Sequence, residues 1–277
     1  MTQDTRAMPH IITAAQRNAG LRGVKALILG VAGIGKTSLL RTLDPATTLF
    51  VDLEAGDLAV QDVAADTMRP KTWDECRDLA AFLGGPNPAL SPEQPYGSAH
   101  YDRVCQAMDA PDALERYQTY FVDSITVAAR LCFRWSSQQA EAFSERTGKP
   151  DIRGAYGLHA REMIAWLTQL QHARAKHVIL IGILEAATDE FNRTVWQPQI
   201  EGAKTGRELP GIVDQVITMQ FVRFEEGSEP VRTLICRQPN PFNYPAKDRS
   251  GQLDLYEPPH LGELIAKITA PAQAVAA

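Results

Sequence analysis

One eight-residue run constrains this chain more than anything else in it: Gly30-Val31-Ala32-Gly33-Ile34-Gly35-Lys36-Thr37. It satisfies the pattern G-x-x-x-x-G-K-[ST] and lies between an apolar stretch, residues 24–29, and residues 37–43, which open a helix that Asp44-Pro45 ends. Glycines at that spacing let the backbone curl until successive N–H groups converge on one anion. The pattern therefore predicts a buried strand, a phosphate-cradling loop and a helix whose positive end faces the same anion. Gly30, Gly33, Ile34, Gly35, Lys36, Thr37 and Ser38 form the predicted nucleotide-binding set, with ATP as the ligand. Lys36 would neutralise the β and γ phosphates, and the Thr37 hydroxyl would hold Mg2+. The alternative is an ordinary glycine turn, which the strand-to-helix setting disfavours.

A loop of this kind needs an open sheet around it, and the rest of the chain supplies the strands. Apolar runs at residues 24–29, 48–53, 119–122 and 178–183 alternate with longer amphipathic stretches. That is the pattern of strand–helix units around a mostly parallel sheet, an α/β fold. Residues 156–175 read as a long helix, with Leu158, Met163, Ile164, Leu167 and Leu170 at helical spacing and so assigned to the core. After Pro210 the character changes. Residues 216–224 and 231–237 are β-rich around the polar break Glu225-Glu226-Gly227-Ser228, which predicts a C-terminal antiparallel hairpin. Residues 84–98, with four prolines, read as a surface loop, and residues 185–210 are polar with little periodicity. The expected organisation is an N-terminal segment (1–20), one ATPase domain (21–268) and a flexible tail (269–277).

Bulk properties exclude several classes. The net charge of −5 argues against a protein that coats nucleic acid with its whole surface, while leaving room for a local basic loop. The four cysteines (Cys76, Cys105, Cys132, Cys236) have no metal-ligand or CxxC spacing and read as free thiols in a reducing cytoplasm. The first twenty residues lack the apolar core of a secretory signal, and no run is long enough to span a bilayer, so no membrane partner is expected.

A phosphate loop needs a carboxylate at the end of a neighbouring strand to hold the magnesium shell. Asp123 follows the apolar Tyr120-Phe121-Val122 and fits that place; the alternative is an Asp that merely caps a helix starting near Ile125. Hydrolysis also needs a group to orient or deprotonate water. Asp52 and Glu54 follow the second strand on the same side-chain phase, and Glu54 lies nearer the carboxyl edge where ligands bind in such sheets. Glu54 is the expected base; alternatively both are solvated loop carboxylates.

Together these elements resemble the RecA-type ATPase core. In RecA-like recombinases the second strand ends in Asp-x-Glu, as Asp52-Leu53-Glu54 does here, and the metal-binding strand ends in Asp-Ser, as Asp123-Ser124 does. The chain is similar, over residues 24–255, to short phage and prophage RecA-like ATPases described as nucleotide-binding or single-strand annealing (Sak-type) proteins. Lys247-Asp248-Arg249-Ser250-Gly251 is similar to the Lys-x-Arg-x-Gly element of RadA-like and hexameric-helicase relatives. The resemblance implies that Lys247 and Arg249 reach the γ phosphate of a neighbouring subunit in a ring or filament. It also implies two loops that contact single-stranded DNA. By position these are residues 145–156, with Arg146, Lys149 and Arg153, and residues 185–210, with Arg193, Lys204 and Arg207 interleaved with Phe191 and Trp196. One departure stands out: where the relatives carry a polar γ-phosphate sensor, this chain has Leu180-Ile181-Gly182-Ile183-Leu184, with Glu185 or Thr188 as the nearest substitutes. Two other readings stay open, a nucleotide-gated scaffold without productive DNA binding and a P-loop kinase for a small molecule.

Overall fold

The computed structural model describes residues 11–19, 22–107 and 115–271. Most of the predicted N-terminal segment and the last six residues of the predicted tail lie outside that range. The first described element is the short helix α1 (Ala14–Ala19).

The frame is a ten-stranded sheet. Its first strands are β1 (Lys25–Gly30), β2 (Thr48–Asp52), β3 (Asp66–Met68) and β4 (Thr119–Asp123). They are followed by β5 (His177–Thr188), β6 (Thr194–Pro198), β7 (Gln215–Val222) and β8 (Val231–Ile235). Two-residue strands β9 (Lys247–Asp248) and β10 (Tyr256–Glu257) complete it. The order is β10-β8-β7-β1-β5-β4-β2-β3, with β6 paired to β5 and β9 to β7. From β3 to β7 the main ladder is parallel; β8 and β10 run antiparallel, so the expected C-terminal hairpin is present, with Phe221 opposite Arg232.

Every residue of β1, β2 and β4 is buried, as strands covered on both faces must be. Alternation sorts them between two cores. Leu27 and Leu29 join α2 (Trp73–Gly84), α4 (Ile125–Ser136) and α5 (Ile152–His172) on one face. Ala26 and Ile28 join Leu39, Leu40 and the C-terminal helix α7 (Leu261–Thr269) on the other. Strand β5 sits between β1 and β4, so the end of the phosphate-loop strand and the end of the Asp123 strand are one strand apart at the same edge.

Two expectations need correction, and a third is met in a tighter form: the helix after the phosphate loop is a 3-10 helix, Thr37–Thr42. Pro45 has no N–H and disfavours helical backbone at Asp44, leaving too few residues for two α-turns. The long helix starts four residues earlier than expected, at Ile152, because the Asp151 carboxylate accepts from the Arg153 N–H at 3.0 Å and caps it there. Finally, residues 185–210 are regular. Strand β5 continues to Thr188, turns at residues 189–193, returns as β6 in the register Glu185↔Gln197, and leads into α6 (Ala203–Ile212). The predicted surface loop at 84–98 is borne out: it joins α2 to α3 (Ser98–Ala107). No helix among the described residues is long and apolar enough to cross a membrane.

Candidate functional site

The loop between β1 and the 3-10 helix has positive φ at Gly33 (78°) and Gly35 (96°), the left-handed curl its glycines were predicted to permit. With so short a helix behind it, the cradle depends on its own backbone N–H groups more than on a helix dipole. The Lys36 side chain folds back over the loop, its ammonium donating to the carbonyls of Gly30 (2.9 Å) and Val31 (3.0 Å). Burial lowers the Lys36 pKa, and the carboxylates of Asp123 and Glu54 oppose that shift. Lys36 thus keeps a charge partly desolvated at the mouth of the loop, where it attracts an anion most strongly.

Asp123 ends β4 with 3% of its surface exposed, and the Thr37 hydroxyl donates to its carboxylate at 2.5 Å. The helix-capping alternative for Asp123 is excluded, because Ser124 caps α4 and accepts from the Val127 N–H. The Asp123-Ser124 peptide is cis. The two side chains have different partners, Asp123 with Thr37 on the phosphate loop and Ser124 with Glu54 beyond β2, to which its hydroxyl donates. This pair ties three strand ends into one polar cluster. Burial pushes the Asp123 pKa up to about 6, against the Thr37 hydrogen bond, which lowers it; the Glu54 charge raises it further.

The cluster fits a magnesium nucleotide. Among the described residues no group of three or more His, Cys, Asp or Glu side chains could cage a metal. One hydroxyl and one buried carboxylate side by side suit a cation that keeps waters and takes its other ligands from phosphates.

Asp52 and Glu54 are not equivalent. Asp52 is buried, accepts from the Gly56 N–H at 2.9 Å and is paired with Arg69, which also bonds Asp57. Its carboxylate holds the loop after β2. Glu54 is exposed and faces Ser124 and the charges of Lys36 and Asp123.

Lys247 and Arg249 lie elsewhere. Strand β9 pairs with β7 at Gln215 and Val216, level with Ala26 and Leu27, so it sits roughly 10 Å short of Gly30 along the sheet. The Lys247 ammonium donates to the carbonyls of Pro210 (2.7 Å) and Val213 (2.8 Å), and Arg249 pairs with Asp214 (2.7 Å). Neither belongs to the chain's own phosphate site.

The predicted DNA residues are exposed at Arg146, Lys149, Arg153, Arg193 and Arg207; the Lys204 side chain lies outside the described part. Arg193 pairs with Asp189 and stacks its guanidinium over Phe191, whose ring is 68% exposed at the hairpin turn. Trp196 instead packs edge-on against Tyr244. The second predicted loop is anchored to α5, where the His159 ring bonds the Glu201 carbonyl at 2.6 Å, just before α6.

Sequence reasoning missed one residue here. Arg232, at the start of β8, lays its guanidinium against Gly35; a Cβ built on that glycine would meet its Cζ at 2.9 Å. The signal was present in principle. Arg232, Leu234 and Cys236 alternate on the face that carries Leu39 and Leu40, and the hairpin returns β8 to the phosphate-loop edge.

A phosphate loop, a hydroxyl–carboxylate pair for magnesium and a second carboxylate, set at the edge of a mostly parallel sheet, define a P-loop ATPase that uses ATP with Mg2+. The chain belongs to the AAA-domain family, which matches it over residues 22–250. No protein of curated function matches it. Among solved structures it is similar to a KaiC-like protein from Pyrococcus horikoshii OT3, at 16% identity, covering 78% of this chain and 80% of that one, with a TM-score of 0.33. It is also similar to the flagellar accessory protein FlaH of Methanocaldococcus jannaschii, at 11% identity, 84% and 87% coverage and a TM-score of 0.35. A third likeness is to an ATPase of the type III secretion system of pathogenic bacteria. It has 13% identity, covers 72% of this chain and 51% of that one, and scores 0.38. At these identities and scores, the likeness carries nothing about substrates or partners.

Proposed function

We propose that this ATPase is a RecA-like protein of the phage Sak type that acts on single-stranded DNA in the cytoplasm, in recombination, annealing or repair. The observation that carries this reading is the course of β5. Paired with β1 and β4 at the nucleotide edge, the strand continues past it into a hairpin that presents Phe191 and Arg193 to solvent. An aromatic face for stacking and a cation for phosphate, on the strand that flanks the ATP site, suit a sequence-tolerant single-strand binder coupled to nucleotide state.

In this reading Lys36 would neutralise the transferring phosphate, and Thr37 and Asp123 would hold a magnesium ion, which would supply further charge neutralisation to the phosphates. Glu54 orients the attacking water, held in place by the Ser124 hydroxyl. The active form is a ring or filament. Lys247 and Arg249 serve a neighbour's nucleotide after giving up the carbonyls and the Asp214 carboxylate they bond within their own chain. Arg146, Lys149, Arg153, Lys204 and Arg207 would supply further phosphate contacts.

The test is the ATPase rate with and without single-stranded oligonucleotide, with oligomer mass measured in each nucleotide state. Stimulation by DNA and a larger assembly with ATP are expected. A DNA-insensitive rate, together with no oligonucleotide retention at low salt, would replace this reading with the nucleotide-gated scaffold.

A further inference from the structure

The nucleotide site has a cation that the phosphate-loop pattern does not contain. Arg232 is half-buried beside the loop, and its guanidinium lies against the backbone of Gly35: an ideal Cβ there would sit 2.9 Å from Cζ, 3.0 Å from Nη1 and 3.1 Å from Nη2. Gly35 is required for its φ of 96°, and a side chain there would also push this guanidinium aside. The guanidinium carbon lies 5.5 Å from the centroid of the Phe221 ring, directly across the β7–β8 ladder, a cation–π contact that favours this placement of the side chain.

An arginine that only stabilised the hairpin would be expected to hold a carboxylate. Arg232 has no ion pair among the described residues, and its Nε is buried with no hydrogen-bond partner. Arg69 and Arg249, by contrast, each hold a carboxylate. A desolvated donor left without an acceptor costs free energy unless something fills its place. What fits a planar fork of N–H donors beside a phosphate loop is a phosphate oxygen.

We propose that Arg232 is a phosphate-contacting catalytic residue, supplied by the same chain that supplies the loop, which neutralises charge on the terminal phosphoryl group of bound ATP. It reaches the site from β8, on the side of β1 opposite β5. There it brings a polar group to a site whose β5 neighbours, Ile181 to Leu184, are apolar. A cation held in place before the reaction stabilises the charge that spreads over the phosphoryl oxygens without reorganising. The proposal rests on ATP occupying the loop and is independent of any DNA partner.

Fluorescent ATP and ADP analogues are titrated onto the full wild-type chain and onto Arg232→Ala, Arg232→Lys and Arg232→Met, with turnover and thermal melting measured on each. ATP binding by the wild type verifies the loop assignment separately from the role of Arg232. Arg232→Ala should lower kcat by about 100-fold or more. It should weaken ATP binding more than ADP binding, and Arg232→Lys should recover part of the loss because it restores charge but not the fork. Arg232→Met keeps the stem on Phe221 and gives the same readouts if the alanine variant fails to melt cooperatively. Arg232→Ala chains mixed with Lys36→Ala chains should stay inactive, since each site then lacks one of two cations it must supply itself. Turnover within about threefold of wild type would overturn the proposal, against the loss expected for such a donor. Equal weakening of ATP and ADP, tighter ATP binding or recovery of turnover in the mixture would overturn it as well.

Discussion

Strand β5 flanks the phosphate site along its first half and forms the exposed hairpin along its second, and the two halves are built in opposite ways. At the phosphate edge, contacts connect residues far apart in sequence: Thr37 and Ser124 hydrogen-bond Asp123 and Glu54, and the Arg232 guanidinium packs beside Gly35. At the hairpin the contacts are local. Asp189 accepts from the N–H groups of Phe191 and Arg193 and pairs with the Arg193 side chain, and Gln197 bonds Glu185 across the ribbon. A long-range cluster anchored on the buried Asp123 and Ser124 holds its geometry before a ligand arrives, as catalysis requires. A self-contained ribbon with an exposed aromatic tip is suited to meeting a partner of variable shape.

If that contrast is right, substitutions at the edge should damage chemistry, and those at the hairpin should change only what the chemistry responds to. Glu54→Gln is the sharpest case. It keeps a partner for the Ser124 hydroxyl and the shape of the loop, but removes the negative charge that orients water. ATP binding should persist while turnover falls by roughly 100-fold or more, the range for a lost general base. Single-turnover hydrolysis beside an ATP titration checks it. Residual turnover near wild type would move the base role away from Glu54 and leave it a surface carboxylate.

Asp123→Asn tests the same edge through stability. The folded chain holds the Asp123 proton up to about pH 6, whereas an ordinary Asp releases it near 3.8. Between those values the folded state binds more protons than the unfolded state, so Asp123 costs stability as pH rises through that window. At pH 7 without nucleotide, Asn should therefore stabilise the fold by roughly 1–3 kcal/mol. Magnesium-dependent turnover should be lost with it, a local cost accepted for function. Urea melts of both forms at pH 4 and pH 7 give the comparison; a variant less stable than wild type at pH 7 would mean that the Thr37 contact outweighs burial.

The same contrast explains what could be read from the sequence. Strands β1, β2, β4 and the first part of β5 were legible because burial on both faces makes them largely continuous apolar runs, and the glycine loop and Asp123 could be placed from the ends of β1 and β4. The hairpin was not legible. Ala186 and Thr188 in β5 and Thr194, Val195 and Gln197 in β6 are exposed, and the small or polar residues on both faces impose no two-residue hydrophobic alternation. Arg232 was hidden for another reason. Its relation to Gly35 spans nearly the whole fold and depends on β8 returning antiparallel to the loop edge, which periodicity in either segment does not reveal. The contrast between Asp52 and Glu54 likewise waited on Arg69, whose approach from beyond β3 no local pattern specifies.

The smallest expected effects lie at the hairpin tip, and they decide whether the two halves of β5 are independent. Phe191→Ala removes the exposed stacking face and should weaken oligonucleotide binding by about 1–3 kcal/mol, the range for one stacked base. Arg193→Ala should do less, because Asp189 already neutralises most of that charge, and exposed pairs are worth about 0–1 kcal/mol. The discriminating quantity is the ratio of the DNA-stimulated to the DNA-free ATPase rate, followed across salt concentration. If the hairpin only senses DNA, that ratio should fall towards one in Phe191→Ala, and Arg193→Ala, its charge already paired with Asp189, should flatten the salt dependence by less than about one unit of log–log slope. A proportional loss of the DNA-free rate would merge the two regions into one functional unit. The continuous register of β5, from Gly182 beside the phosphate loop to Thr188 at the turn, would then be the physical link between them.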